Sequence, residues 1–274
     1  MNPTFPLKFA ANLSWLYTDR PFLDRFQAAA DDGFQGVECL FPHEHPKSEI
    51  RARLQDLGLA LVLFNGAPGD WAGGERGLAC IDAREADFQA SVQAALALAQ
   101  DLDCPRVHVM AGLCPGAPQD RARALATYEQ RLAWAAEQAR LADRNILIEP
   151  INPRDMPGYL LNHQADAHAL VQRINSPHLQ VQLDLYHCQI VDGDITTQLR
   201  QALPTGRVGH LQIAGVPDRS EPDAGELHYP HVFAELRALQ WPGWIGCEYR
   251  PRQNGPSGTS AGLNWLRAAT APTA

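Results

Sequence analysis

Four oxygen-bearing side chains stand where apolar runs of the chain break off. Glu149 follows Ile146 to Ile148 in "ILIEPIN", Asp184 lies near the end of "VQLDLYH", Gln212 sits in "GHLQIAG" and Glu248 in "IGCEYR". Three carboxylates and one amide make a hard-oxygen set, suited to Mg²⁺ or Mn²⁺ rather than to a thiol-loving metal. Buried without a cation, the same carboxylates would be costly and their pKa values would rise. Taken singly, an acidic residue at a strand end is more often a cap or an ion-pair partner. Four in consecutive runs form a pattern, and if each points inward they converge at one place.

Other residues gain meaning only beside that set. His187, three residues after Asp184, could hydrogen-bond a substrate oxygen or simply cap the strand. Arg219, in the long loop "GVPDRSEPDAGE", could reach the same place, whereas a lone loop arginine is usually solvated. "GAPGDWAGGERGLA", from Gly66 to Ala79, is too glycine-rich for a helix. It reads either as a surface loop or as a lid in which Trp71 excludes water and Arg76 holds an anion. "HEH" at His43 to His45 matches no strong metal spacing and reads as a solvated loop.

The elements that must position these residues alternate. Short apolar runs ("LKFAANLSW", "GVECLF", "ALVLFN", "RVHVMAG", "ILIEPIN", "LQVQLDLYH", "VGHLQIAG", "GWIGCEYR") are separated by segments of helical period. Phe88, Val92, Leu96 and Ala99 form one helical stripe, and Ala167, Leu170, Val171 and Ile174 another. "GTSAGLNWLRAAT" reads as a closing helix. Eight strands alternating with helices predict an α/β fold, a single (β/α)8 TIM barrel over residues 1–274. An open doubly wound sheet is the alternative, but the first strand lacks the Gly-rich dinucleotide turn. In a barrel, chemistry collects where strands end and their following loops begin.

Composition narrows the function classes. A net charge of −8 disfavours nucleic acid and anionic membrane as partners, and no apolar run approaches membrane-spanning length. The six cysteines lack any C-x-x-C pair, so they read as reduced, structural thiols. With no signal-peptide plan in "MNPTFPLKFAANLSW", this points to a cytoplasmic protein. The outer helices could support a homo-oligomer.

The chain resembles the hydroxypyruvate isomerase family, within the xylose isomerase-like TIM barrels. "FAANLSW", "FQGVECLFP", "PGDWAGGERGLA", "EPIN", "GHLQIAGVPDRSEPDAGE" and "GWIGCEYRP" carry the resemblance over nearly the whole chain. It implies an isomerase of a small oxo-acid or ketose in which Glu149 and Glu248 transfer the proton. Related ketose epimerases bind a divalent metal through positions matching Glu149, Asp184, Gln212 and Glu248, but with histidine where this chain has Gln212. The resemblance therefore implies Mg²⁺ or Mn²⁺ while leaving its necessity open. In the implied mechanism His187 steadies a substrate oxygen and Arg219 meets the substrate carboxylate. Hydroxypyruvate, converted to tartronate semialdehyde, is the expected substrate. "VHVMAG", "LQIAGVPDR" and "CEYRPR" look more like the 2-oxo-tetronate isomerases, and a ketose 3-epimerase is a further alternative. From other classes stand a non-catalytic sugar-acid binder and the metal-dependent nucleases of the superfamily. The nucleases need a histidine-rich zinc cluster and a positive face, which this sequence does not display.

Overall fold

The computed structural model of the chain describes residues 5–114, 116–253 and 255–271. Eight strands, β1 (Lys8–Asn12), β2 (Gly36–Cys39), β3 (Ala60–Asn65), β4 (Arg106–His108), β5 (Asn145–Ile148), β6 (Leu179–Asp184), β7 (Val208–Ile213) and β8 (Trp244–Cys247), form one closed barrel. Each pairs in parallel with the next, and β8 pairs with β1. The expected (β/α)8 barrel is thus the observed fold. Its strands are short and apolar because both faces are covered, by helices outside and side chains within.

The helices are α1 (Arg25–Asp31), α2 (Lys47–Leu57), α3 (Glu85–Asp101), α4 (Pro118–Ala142), α5 (Gln164–Ile174), α6 (Leu185–Val191), α7 (Ile195–Ala202), α8 (Tyr229–Ala238), α9 (Gly258–Ala261) and α10 (Asn264–Thr270). The stripe of Phe88, Val92, Leu96 and Ala99 is buried, as is that of Ala167, Leu170 and Val171, while Ile174 at the helix end is half-buried. Two readings need correction. The sixth run does not stay extended to His187: Asp184 caps a helix at its end, its Oδ1 accepting the Tyr186 N–H at 2.8 Å. The expected closing helix is two short ones, α9 and α10, separated at Gly262 and Leu263.

Most of the core lies between strands and helices. Inside the barrel, Ala10, Val62 and Leu147, from β1, β3 and β5, form a separate apolar layer with Leu63 and the Trp244 ring packed against it. Alternate strands contributing to one layer is the usual way a barrel of this size fills its lumen. All six cysteines are free, five of them buried. Among the described residues no helix is long and apolar enough to cross a membrane.

Candidate active site

At the end of the barrel where the strands terminate, a cavity of about 500 Å³ opens among the following loops. Glu149 and Glu248, each one residue past its strand, both line it and are almost wholly buried. Asp184 and Gln212 are register partners on β6 and β7, also buried. His187, Arg219, Trp71 and Arg76 line the same cavity, so the two loops and the strand ends meet at one mouth. A larger cavity of about 610 Å³ at the opposite end, among Phe9, Phe34 and Leu266, brings no cluster of carboxylates together. The carboxylates gather at the first.

The helical turn at the end of β6 places Asp184 and His187 on one side, with His187 Nε2 3.6 Å from Asp184 Oδ2 and 4.0 Å from Glu149 Oε1. Both carboxylate oxygens are buried and have no hydrogen-bond partner among the described residues. Asp184 thus has one oxygen capping α6 and the other beside His187. His187 is fixed from behind: its Nδ1 lies 2.6 Å from Asn152 Nδ2 and 3.3 Å from the Asn152 backbone nitrogen. The Asn152 amide is itself oriented, because its Oδ1 accepts the Asp155 backbone N–H at 2.9 Å. Two donors aimed at Nδ1 leave it no proton, so the imidazole proton sits on Nε2 and points at the carboxylates. Glu149, Asp184 and His187 lie close enough to hold a metal, but in this tautomer His187 is a donor, not a ligand.

Gln212 is held at both ends. Its Nε2 donates to Glu38 Oε1 at 2.7 Å and its Oε1 accepts from Gln182 at 2.6 Å. Glu38 also accepts from Asn12 at 2.9 Å and pairs with His210 at 2.6 Å. The strand register shifts immediately before Glu38 and immediately before Gln182, and such bulges re-aim a side chain. Glu38 was missed in the sequence. Its signal was the one that marked Glu149, a carboxylate inside an apolar run, but it comes before the run's end.

Arg219, in the loop after β7, takes the left-handed conformation (φ 51°) and turns inward. Its guanidinium lies 3.0 Å from Glu248, 3.5 Å from Asp155 and 3.9 Å from Asp184, between the Trp15 and Tyr186 rings. Burial, together with Glu248 and Asp184, pushes the Glu149 pKa well above the usual carboxylate range. Burial also takes Glu248 up to about 8, against the pull of Arg219, and Asp184 to about 6. Burial keeps His187 neutral and lowers His108, beside Glu149 at 3.6 Å, to about 3. His108 is a second residue the sequence reading passed over, in the middle of "RVHVMAG".

In the Gly66–Ala79 loop, Arg76 stacks on Trp71 at 3.9 Å and Trp71 packs edge-on to Phe41. Trp71 is 38% exposed. The loop is pinned at Gly77 (φ 114°), where a Cβ would lie 2.3 Å from the Met110 carbonyl oxygen. "HEH" lies apart from the cavity lining, with His43 exposed and His45 stacked on Phe22.

A sequence profile of the family described as "Xylose isomerase-like TIM barrel" matches residues 26–269. The 2-oxo-tetronate isomerase of Cupriavidus necator is 55% identical over 260 residues, covering 95% of this chain and 97% of that protein. The hydroxypyruvate isomerase of Escherichia coli K12 is 38% identical over 260 residues, 95% of this chain and 98% of that one. A crystal structure from Brucella melitensis, named an AP endonuclease of family 2, superposes with a TM-score of 0.90. It is 46% identical, covering 96% of this chain and 98% of that one.

Proposed function

The chain belongs to the xylose isomerase-like TIM barrel family and is an isomerase; from that premise we propose that it moves a hydrogen between C3 and C2 of a short 2-oxo acid. Hydroxypyruvate, becoming tartronate semialdehyde, is the three-carbon case. A hydrogen leaves C3 as a proton, the electron pair it leaves forms a 2,3-enediolate, and a proton is delivered to C2. The hydroxyl proton passes from the oxygen on C3 to that on C2, so atoms and charge balance. The observation that supports this is a pair of buried glutamates, Glu149 and Glu248, facing one small cavity, with burial raising both pKa values above the usual carboxylate range. A raised carboxylate can hold a proton at neutral pH and also release it, which a proton-transferring pair needs. Arg219, 3.0 Å from Glu248, pulls its pKa down against burial, so of the two Glu248 gives up its proton more readily and is the base, with Glu149 the acid in this direction. The His187 Nε2–H is aimed where negative charge develops on a substrate oxygen.

The donor set fits a divalent ion, Mg²⁺ or Mn²⁺: Glu149 and Asp184 each have a buried oxygen with no partner among the described residues, and such oxygens would be hard ligands. Gln212 and Glu248 would complete the shell by exchanging Gln182 and Arg219, their present partners. Such an ion would polarise the substrate oxygens as a Lewis acid. Arg219 supplies positive charge to the same carboxylates from the chain itself.

A four-carbon substrate, 2-oxo-tetronate, is supported by the 55% identity to the Cupriavidus protein. It differs from hydroxypyruvate by one hydroxymethyl group on C3, and the reacting C2–C3 unit is the same. The nuclease reading finds little support, since among the described residues a single metal-competent cluster occurs and the net charge is −8.

Incubating the protein in D₂O with hydroxypyruvate, and separately with 2-oxo-tetronate, should place deuterium on carbon. Glu149→Gln and Glu248→Gln should each lower turnover by roughly two to four powers of ten with unchanged circular dichroism. Near-normal turnover in both variants would refute the assignment. The ratio of kcat/KM for the two acids, with Mn²⁺ and after chelation, decides substrate and metal.

A further inference from the structure

Four arginines line the cavity: Arg76, Arg154, Arg219 and Arg250. Three are engaged by the protein. Arg219 faces Glu248, Asp155 and Asp184. Arg154 lies 3.6 Å from Asp155 and donates to the Tyr186 hydroxyl and the Pro217 carbonyl. Arg76 donates to the Trp71 and Glu75 carbonyls.

Arg250 differs. Among the described residues its guanidinium has no acidic group within 4 Å and makes no hydrogen bond. It lies over the Trp15 ring at 5.0 Å, while its backbone N–H donates to the Arg219 carbonyl at 2.8 Å and fixes its place at the mouth. Arg252, two residues on, shows what a structural arginine in this segment looks like: it pairs with Glu221 and Asp223. Trp15, beneath Arg250, has a buried indole N–H with no partner among the described residues.

Charge decides what an unengaged arginine can do here. Arg219 and Arg154 are taken up by Asp155, Asp184 and Glu248, and Arg76 by backbone carbonyls. An incoming carboxylate therefore needs a cation that the protein has not already engaged, and a guanidinium matches a carboxylate with two parallel hydrogen bonds.

Resting on the 2-oxo-acid reading above, we propose that Arg250, with the Trp15 indole N–H beside it, receives the substrate carboxylate, and that Arg219 serves as the standing counter-cation of the acidic cluster. Arg250 follows Glu248 by two residues, the spacing that returns a chain leaving a strand to the same face. An acid held by Arg250 therefore presents its C2–C3 unit toward Glu248. Selection for acids over uncharged ketoses then resides at the β8 exit.

The test compares the wild type with Arg250→Gln and Arg250→Lys, whose exposed side chain makes misfolding no concern. Calorimetric titration with tartronate, which cannot isomerise, reads the carboxylate site directly. Kinetics on hydroxypyruvate and on dihydroxyacetone, in which a hydroxymethyl group replaces the carboxylate, read its effect on selection. Arg250→Gln should weaken tartronate binding by about ten- to a hundredfold and lower the preference for hydroxypyruvate over dihydroxyacetone by a similar factor, the loss lying in KM. Arg250→Lys should recover part of both. Unchanged tartronate binding in Arg250→Gln, or absent binding in the wild type, overturns the proposal. A wild type that binds tartronate through Arg250 yet exchanges no carbon-bound hydrogen in D₂O leaves the anchor standing and removes the isomerase substrate reading instead.

Discussion

His187 takes its donor role from a residue that never reaches the cavity. Asn152, fully buried behind it, presents both its backbone N–H and its side-chain NH₂ to Nδ1. Such supporting contacts fix the tautomer and the orientation of a ring, and losing them typically costs ten- to a hundredfold in function. Asn152→Asp replaces the donating amide with an acceptor, which draws the imidazole proton to Nδ1 and bares Nε2. Turnover should fall by about tenfold or more. In the metal-free protein, ¹⁵N shifts of His187 should change from the Nε2–H to the Nδ1–H pattern, and affinity for Zn²⁺ should rise because Nε2 becomes a ligand. An unchanged ¹⁵N pattern would show that Asn152 does not set the tautomer. The same residue marks a limit of sequence reading. "EPIN" drew attention to Glu149, yet nothing in four letters says that the asparagine faces a histidine 35 residues away.

At the scale of elements, the eight apolar runs were legible because a strand buried on both faces leaves little room for polar residues except at its end. The turn at Leu185 was not, because "LYH" continues an apolar pattern that fits strand or helix equally. Asp184 decides it by capping. The polar layer of Glu38, Gln182 and Gln212 was also hidden, since it depends on two register shifts, immediately before Glu38 and immediately before Gln182. β8 accommodates Glu38 with a glycine: a Cβ on Gly246 would lie 2.2 Å from its Oε2. The carboxylate cannot swing away without abandoning His210, Gln212 and Asn12. Gly246→Ala should therefore destabilise the barrel by about 1–3 kcal/mol, read as a lower urea midpoint at unchanged slope. Glu38→Gln in the Gly246→Ala background leaves the crowding in place and should not restore the midpoint. A Gly246→Ala protein as stable as the wild type would mean that β2 and β8 give way freely here.

For the whole molecule, barrel closure gathers buried acid at one end of a chain that already carries a net charge of −8. The sequence disclosed which carboxylates stood at strand ends. It could not disclose that Arg219 pairs with Glu248 and Asp184 while Arg250 has no ion pair among the described residues, because ion pairing between loops is tertiary. This gathering gives folding a pH dependence of definite sign. Burial raises Glu248 from the ordinary 4.5 to about 8, so between those values the native state keeps a proton that the unfolded chain has lost. The native state binds more protons there, and its stability falls as pH rises toward 8. Two other groups of residues act in the opposite sense but at lower pH. Buried His108 and His187 stay neutral while their unfolded counterparts charge below about 6.5. Surface carboxylates held low by arginine, such as Glu129 and Glu235, lose their contribution only in acid. Between about pH 6.5 and 8 the acidic cluster is left to set the slope. The Tm of chelated protein should fall across that interval, the fall should shrink in Glu248→Gln, and added Mn²⁺ should oppose it by favouring ionised carboxylates. A Tm that rises over the same interval, or an undiminished fall in Glu248→Gln, would place the uncompensated charge elsewhere in the fold.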